Sequence, residues 1–245
     1  LYVEGIKSPR RFMELARRAA SAGKPVLAVK AGRTDAGSVA ARSHTASMVG
    51  SYAAFAAACR ATGVVLLDEP EGMVLTAGVV DRLGPIGRGG IGLIVSSGGG
   101  GAVTIDRMTA AGLPLAAWSA ETRARLERYY LPSHINNPID LGAHKGALAL
   151  ENFAETIRAV AEDREVAIAL FIMTPQPLMM ETTDALVASW RDTRKPMVVV
   201  VDAGSFGQPV RERLIEAGLP FVNRIDDGLR AVDAMVRLRA LEAEL

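Results

Sequence analysis

Two stretches of this chain follow one plan, and that repeat limits the fold more than any other feature. Lys24-Pro25-Val26-Leu27-Ala28-Val29-Lys30-Ala31-Gly32 resembles Lys195-Pro196-Met197-Val198-Val199-Val200-Val201-Asp202-Ala203-Gly204. Ala61-Thr62-Gly63-Val64-Val65-Leu66-Leu67-Asp68 likewise resembles Glu216-Ala217-Gly218-Leu219-Pro220-Phe221-Val222-Asn223. A short apolar run of this kind reads as a strand buried on both faces of a parallel sheet. Residues 1–6 are expected to match 167–173. Helical patterns separate the runs: Ser8-Pro9 opens an amphipathic stretch with Phe12, Leu15, Ala16 and Ala19, and others are expected near 48–61, 69–81, 98–111, 121–129, 147–163, 182–191, 209–217 and 226–241. Strands alternating with helices of this length predict right-handed βαβ units and mostly parallel α/β sheets. The Gly84–Gly90 loop, rich in glycine, is the expected boundary, giving domains 1–86 and 87–245.

The first copy has no counterpart of residues 90–165. Its front half is therefore expected upstream of Leu1, and a chain opening on Leu-Tyr-Val reads as a piece of something longer. The first copy also carries extra sequence between its matched glycines, Gly32 and Gly63. That insertion holds Gly32-Arg33-Thr34-Asp35-Ala36-Gly37 and Arg42-Ser43-His44-Thr45. Open α/β sheets bind ligands at the carboxyl ends of their strands, so the insertion is the first place to seek chemistry.

Composition narrows the function classes. The 245 residues are 49% hydrophobic with a formal net charge of +1, which excludes a disordered chain and argues against a broad basic face for nucleic acid. Aromatics make up 5%, too few for a single-strand stacking platform. The longest apolar run, 166–173, is far short of the roughly 20 residues of a membrane span. One cysteine, Cys59, rules out a disulfide framework or a cysteine-based zinc site within the chain, and no signal-peptide pattern is visible. A reduced, cytoplasmic setting is expected.

His44 is read as lying in a polar loop just before a helix. It is either a hydrogen-bonded loop histidine or a nucleophile, since neutral imidazole can accept a phosphoryl group. Ser43 and Thr45 are expected to cap the following helix, whose first N–H groups attract anions, with Lys30, Arg33 and Arg42 adding charge. Ser96-Ser97-Gly98-Gly99-Gly100-Gly101 follows a strand and opens a helix; Ser97, Gly98, Gly99 and Gly100 form a candidate anion seat, because glycines let backbone approach closely. Glu4, expected at a strand's carboxyl end, is either an exposed glutamate or a carboxylate that fixes a histidine tautomer. Asp140, in Asn136-Asn137-Pro138-Ile139-Asp140, serves a turn or binds substrate, and Gln176 in Thr174-Pro175-Gln176 serves a rigid turn or contacts substrate. His134 and His144 carry no assignment, and no metal site is expected. Gly87-Arg88-Gly89-Gly90-Ile91-Gly92 precedes a strand and is no dinucleotide fingerprint. Gly32–Ser38 lacks the lysine of a P-loop, and no Gly-x-Ser-x-Gly elbow exists.

The ordered set Tyr2-Val3-Glu4-Gly5-Ile6-Lys7, Lys30-Ala31-Gly32-Arg33, Ala40-Ala41-Arg42-Ser43-His44-Thr45, Ser97-Gly98-Gly99-Gly100-Gly101, Asn137-Pro138-Ile139-Asp140, Thr174-Pro175-Gln176 and Gly218-Leu219-Pro220 resembles the NDP-forming acyl-CoA synthetases of the succinyl-CoA synthetase superfamily. The resemblance covers essentially the whole chain. It implies two flavodoxin-like domains, the first truncated at its N-terminus. It implies a relay in which acid, CoA and ATP give acyl-CoA, ADP and phosphate through an acyl phosphate and a phosphohistidine. His44 falls on the phosphorylated histidine and Glu4 on the carboxylate that orients it. The helices expected near Thr45 and Gly98 fall on the pair whose N-termini hold the phosphate. CoA, ATP or ADP and Mg2+ are implied for the complete enzyme, with no tightly bound cofactor expected in this fragment. A CoA-binding Rossmann domain and an ATP-grasp domain are implied as partners, in the same chain or another subunit, with a small carboxylic acid as substrate and an oligomer as the working form. Ala46 departs from the glycine usual there. The alternatives are an acyl-CoA-sensing module without turnover, as in the arm of a protein acetyltransferase, and a hydrolase using Ser96 or Ser97.

Overall fold

The structure, a computed structural model, describes residues 1–45, 50–146 and 150–244, with side chains for all of these except 42–45 and 240–244. Two compact units emerge: Leu1–Ala77 with Ala234–Leu245, and Gly78–Asp233. The division falls inside a helix rather than in the glycine-rich loop, because packing and not chain punctuation defines a compact unit. As a division by repeat, 1–86 and 87–245 remains our proposal.

In the first unit, β1 (Tyr2–Val3), α1 (Pro9–Ser21), β2 (Leu27–Lys30), α2 (Asp35–Thr45), α3 (Tyr52–Thr62) and β3 (Val65–Leu67) precede α4 (Pro70–Leu83), which runs on into the second unit. The three strands are parallel in the order β1-β2-β3. Val3, Ala16, Ala28, Phe55, Cys59 and Val64 form the core, with Phe12 packed against it and its ring 5.4 Å from that of Phe55. Pro9 begins α1 where a missing N–H costs nothing. The Ser51 hydroxyl caps α3 by accepting from the Ala54 N–H at 3.3 Å, and Gly63 ends it in the left-handed conformation.

The second unit holds β4 (Gly90–Val95), α5 (Gly98–Ala110), α6 (Ala120–Leu126), β5 (Ile139–Asp140), α7 (Leu150–Glu162), β6 (Val166–Met173), α8 (Met179–Thr193), β7 (Met197–Val201), α9 (Gln208–Ala217), β8 (Phe221–Val222) and most of α10 (Ile225–Glu244). Its five strands are all parallel in the order β5-β4-β6-β7-β8. Counted within the unit this is 2-1-3-4-5, the flavodoxin-like order, whose switch point lies between β4 and β6. Every residue of β6 is buried, as an unbroken apolar run requires.

The register verifies the repeat and corrects one detail. Val29 pairs with Tyr2 and Val200 with Ile172; Leu66 pairs with Ala28 and Phe221 with Val199. The first sheet therefore reproduces the last three strands of the second. Tyr2 and Val3 fall on Ile172 and Met173, so residues 1–6 continue past the end of β6 rather than lying along 167–173. A short edge strand gives little periodicity from which to fix such an offset.

Two elements depart from expectation. The insertion read as loop is helical over Asp35–Thr45. Thr34 starts it: its carbonyl accepts from the Ser38 N–H at 2.8 Å and its hydroxyl from the Gly37 N–H at 3.1 Å. The helix expected from residue 48 begins instead at Tyr52. Strand β5 is two residues long, too short to show periodicity.

Candidate functional site

The carboxyl edge of the second sheet converges on the switch point. There the chain leaves β4 at Ser96 and β6 at Thr174, and the two ends are stitched together. The Ser96 N–H donates to the Ile172 carbonyl at 3.1 Å, the Thr174 N–H donates to Ser96 Oγ at 2.9 Å, and the two hydroxyls share a hydrogen bond of 2.9 Å. Ser96 is thus a clamp between strands, which speaks against its use as a hydrolytic nucleophile. Ser97 is the N-cap of α5 with extended backbone, and its side chain makes no cap bond. The first N–H groups of α5, from Gly98, Gly99 and Gly100, have no partner within the helix.

The glycines divide by cause. A Cβ on Gly98 would stand 2.9 Å from Asp140 Oδ2, and one on Gly101 would stand 3.2 Å from Val95 Cγ2 and 3.3 Å from Pro138 Cγ. Packing therefore accounts for these two. A Cβ on Gly99 would meet nothing within 4 Å, and one on Gly100 only Thr174 Cγ2 at 4.0 Å. Their lack of side chains leaves open space over the helix start, where an anion would sit.

Asp140 closes one side of this space. Its Oδ1 accepts from the Gly142 N–H at 2.9 Å, which bears out the turn role. Its carboxylate beside the first turn of α5 also means that an arriving anion meets amides on one flank and negative charge on the other. Gln176, on the loop that follows β6, has a buried Nε2 without a partner among the described residues. Sequence reasoning missed what positions Asp140. The Asn137 amide occupies the edge of β4 before β5 begins: Oδ1 accepts from the Leu93 N–H at 3.0 Å, and Nδ2 donates to the Ile91 carbonyl at 2.7 Å and the Ala116 carbonyl at 2.9 Å.

In the first unit Glu4 follows β1 directly and so stands at that sheet's carboxyl edge, as expected. Its carbonyl accepts from Lys30 Nζ at 3.0 Å, as does the Ala31 carbonyl. Lys30 is buried at 6% exposure, and that burial holds its pKa below the ordinary lysine value. Arg33 is engaged elsewhere, paired with Asp68 and lying over the Tyr52 ring, so it is not the free charge the sequence suggested. Ser43, His44 and Thr45 lie in α2, not in a loop before a helix. The capping role expected of Ser43 and Thr45 falls to Ser51, because the Thr34-Asp35 start and the alanines that follow carry helix through them. The side chains of Arg42, Ser43, His44 and Thr45, and all of Ala46, lie outside the described residues.

Of the remaining histidines, His134 is exposed and His144 is packed among aromatic rings. His144 stacks on Phe153 with ring centroids 4.9 Å apart and lies 5.0 Å from Tyr130, its ring nitrogens buried without partners among the described residues. Burial lowers its pKa against the opposing pull of Asp140. Among the described residues no group of three His, Cys, Asp or Glu could hold a metal ion, and no helix is long and apolar enough to cross a membrane.

Residues 1–80 match the succinyl-CoA ligase like flavodoxin domain. The chain is 30% identical over 249 residues to the α subunit of acetate–CoA ligase (ADP-forming) II of Pyrococcus furiosus, covering 97% of this chain and 52% of that protein. It is 32% identical over 237 residues to acetate–CoA ligase (ADP-forming) I of Archaeoglobus fulgidus, covering 96% of this chain and 33% of that one. The chain thus spans about half or less of the curated relatives it matches. Its fold superposes with TM-score 0.86 and 22% identity on the dinucleotide-forming acetyl-coenzyme A synthetase 1 of Ca. Korarchaeum cryptofilum, solved with phosphate and ADP, covering 99% of this chain and 54% of that one.

Proposed function

Because this chain is homologous over nearly its whole length to the ADP-forming acetate–CoA ligases, we propose that it is the histidine-bearing core of an NDP-forming acyl-CoA synthetase. That homology is the observation which carries the reading. The reaction joins acid, CoA and ATP into acyl-CoA, ADP and phosphate. A ring nitrogen of His44 attacks the γ-phosphorus of ATP, and ADP leaves with the electrons of the P–O bond. A carboxylate oxygen of the acid then attacks the phosphorus, releasing imidazole and forming an acyl phosphate. The CoA thiolate attacks the acyl carbon, and phosphate departs with the C–O electron pair.

Glu4 is assigned to holding the imidazole tautomer and stabilising its cationic form. Ser43 and Thr45 flank His44 as hydroxyl donors to the phosphoryl group. Ser97 and the open amides of Gly98, Gly99 and Gly100 would hold a phosphate, and Gln176 and Asp140 would contact substrate. The described residues do not fit a resident metal, so Mg2+ is assigned to the nucleotide in an ATP-grasp partner. A CoA-binding Rossmann domain completes the assembly, in the same chain or another subunit of an oligomer.

The test is phosphoryl labelling of the full-length protein from γ-labelled ATP. Acid-labile, base-stable label is expected in the wild type and lost in His44→Ala and His44→Asn. Undiminished label in both variants would remove His44 from the relay. CoA binding with no label in the wild type would favour the sensing module instead.

A further inference from the structure

Glu4 stands at a bend just past β1, and the peptide planes on both sides of it are held from the end of β2. The Val3 carbonyl before it accepts from the Ala31 N–H at 2.9 Å. Its own carbonyl accepts from Lys30 Nζ at 3.0 Å, and the same ammonium donates to the Ala31 carbonyl at 3.0 Å. A residue has only two soft backbone dihedrals. With both flanking planes pinned, φ and ψ of Glu4 are set, and with them the direction of its Cα–Cβ bond. The second pin comes from a side chain, because the pairing of β1 with β2 ends at Val3 and Lys30. Lys30 is buried, so water competes little for these charge-assisted bonds.

The repeat provides an internal comparison. Lys30 pairs with Val3 as Val201 pairs with Met173, and the Asp202 N–H donates to the Met173 carbonyl at 2.9 Å just as Ala31 does to Val3. Lys30 and Val201 are therefore equivalent, and so are Glu4 and Thr174. Val201 lies in an aliphatic core and has no donor to offer. Thr174 is held instead by Ser96, at the end of the neighbouring β4, through its N–H and its hydroxyl. Each sheet thus fixes the residue beyond this strand with one side chain, and each uses a different one. A plain valine at the equivalent point shows that packing of the sheet does not demand an ammonium there.

We propose that Lys30 is a positioning residue: by bonding the Glu4 and Ala31 carbonyls it sets the backbone of Glu4 and so aims the carboxylate assigned to the His44 imidazole. This deepens the relay reading and rests on it for the role of Glu4. Without Lys30 the imidazole loses tautomer control and the carboxylate that stabilises its cationic form. The sign separates this from a direct effect of charge. Losing a nearby carboxylate lowers the pKa of an imidazole, whereas losing a nearby ammonium raises it.

The test is the pH dependence of labelling from γ-labelled ATP in the full-length protein. Lys30→Met should slow labelling about tenfold to a hundredfold at saturating ATP and leave the half-saturating ATP concentration unchanged. Neutral imidazole is the nucleophile, so the rate rises with pH through the His44 pKa. The midpoint of that rise should move to lower pH in Lys30→Met, in the same direction as in Glu4→Gln. The double variant should be no slower than Glu4→Gln alone, because Lys30 acts through Glu4. A midpoint that stayed in place or moved up, or losses that multiplied in the double variant, would overturn the proposal. A second readout needs no turnover. Carbonyl-13C glutamate combined with 15N glycine picks out Glu–Gly pairs by NMR, here Glu4-Gly5 and Glu71-Gly72. Lys30→Met should shift the Glu4 carbonyl signal and leave that of Glu71 in place; an unmoved Glu4 signal would also overturn the proposal. A wild type that takes no label would break the relay reading instead, and the Glu4 carbonyl would still decide whether Lys30 fixes that residue.

Discussion

Asn137 offers the sharpest test of how the second unit holds its candidate site. Replacing it with alanine removes three hydrogen bonds to the edge of β4 and the adjoining segment. The three lost partners are not equivalent. The Ile91 carbonyl keeps a bond from the Ala116 N–H at 3.0 Å, whereas the Leu93 N–H and the Ala116 carbonyl lose the partner described for them. Leu93 is fully buried and Ala116 nearly so. An orphaned buried backbone group costs about 1–3 kcal/mol, and Asn137 is itself only half-buried, so water can recover part of the loss. The expected cost of Asn137→Ala is therefore about 2–4 kcal/mol. With a urea dependence of roughly 2 kcal/mol/M, the midpoint should fall by about 1–2 M. Both tryptophans, Trp118 and Trp190, lie in this unit, so fluorescence reads its unfolding without interference from the other. Asn137→Asp sharpens the test. Its carboxylate can still accept from the Leu93 N–H but faces two carbonyls, which raises its folded-state pKa. It should therefore be less stable than the wild type at neutral pH and recover part of the loss as pH falls and the carboxyl protonates. If Asn137→Ala shifted the midpoint by only a few tenths of a molar, the amide would not be substituting for a strand, and the placement of Asp140 would need another cause.

Other substitutions separate packing from ligand binding. Gly99→Ala should leave stability unchanged or raise it by up to about 1 kcal/mol, because its methyl meets nothing, yet weaken inorganic phosphate binding. Gly101→Ala should lower the urea midpoint, since crowding against Val95 and Pro138 at a cost of about 1–3 kcal/mol outweighs the helix-propensity gain. Asp140→Asn keeps an acceptor for the Gly142 N–H and removes charge beside α5; phosphate affinity, read by NMR titration at low salt, should rise about threefold to tenfold. Cys59 is buried and its thiol is pushed up to about 11, so at pH 8 about one thiol in a thousand is ionised, against one in ten at 9.0. Alkylation should be correspondingly slow in the native protein and become fast in urea.

The parts of this molecule that repeat were legible because a buried strand has few spellings. Gly63 and Gly218, matched by sequence alone, both end helices in the left-handed conformation, with φ of 73° and 75°. The chain from each then enters the last strand of its sheet in the same register. What escaped was held by single side chains rather than by pattern. Strand β5 has only Ile139 and Asp140, and the edge it would need further back is supplied by the amide of Asn137. Helix α2 was hidden because Gly37 and the polar residues around it look like loop. The start signal was present in Thr34 and Asp35, and the alanines that follow are strong helix formers. The anion seat at Gly98–Gly101 was visible as a run of glycines. Only the structure shows that Asp140, Val95 and Pro138 account for two of them.

A buried ammonium costs stability unless its charge is matched, and Lys30 should show that cost as a dependence on pH. Its ammonium is desolvated in the folded protein and hydrated in the unfolded chain, so its pKa is lower in the folded state. The unfolded state then binds the extra proton. The destabilisation is complete at pH values below the folded pKa and is relieved as pH rises from there to the ordinary value of 10.5. Lys30→Met lacks this titration. The stability of the wild type relative to Lys30→Met should therefore climb as pH rises towards 10.5 and level off above it. Urea unfolding at each pH, read by a brief Cys59 alkylation pulse at one fixed pH, follows the first unit, which contains Cys59 and no tryptophan. If the difference between wild type and variant ignored pH, Lys30 would be a surface-like lysine whose charge the solvent already satisfies.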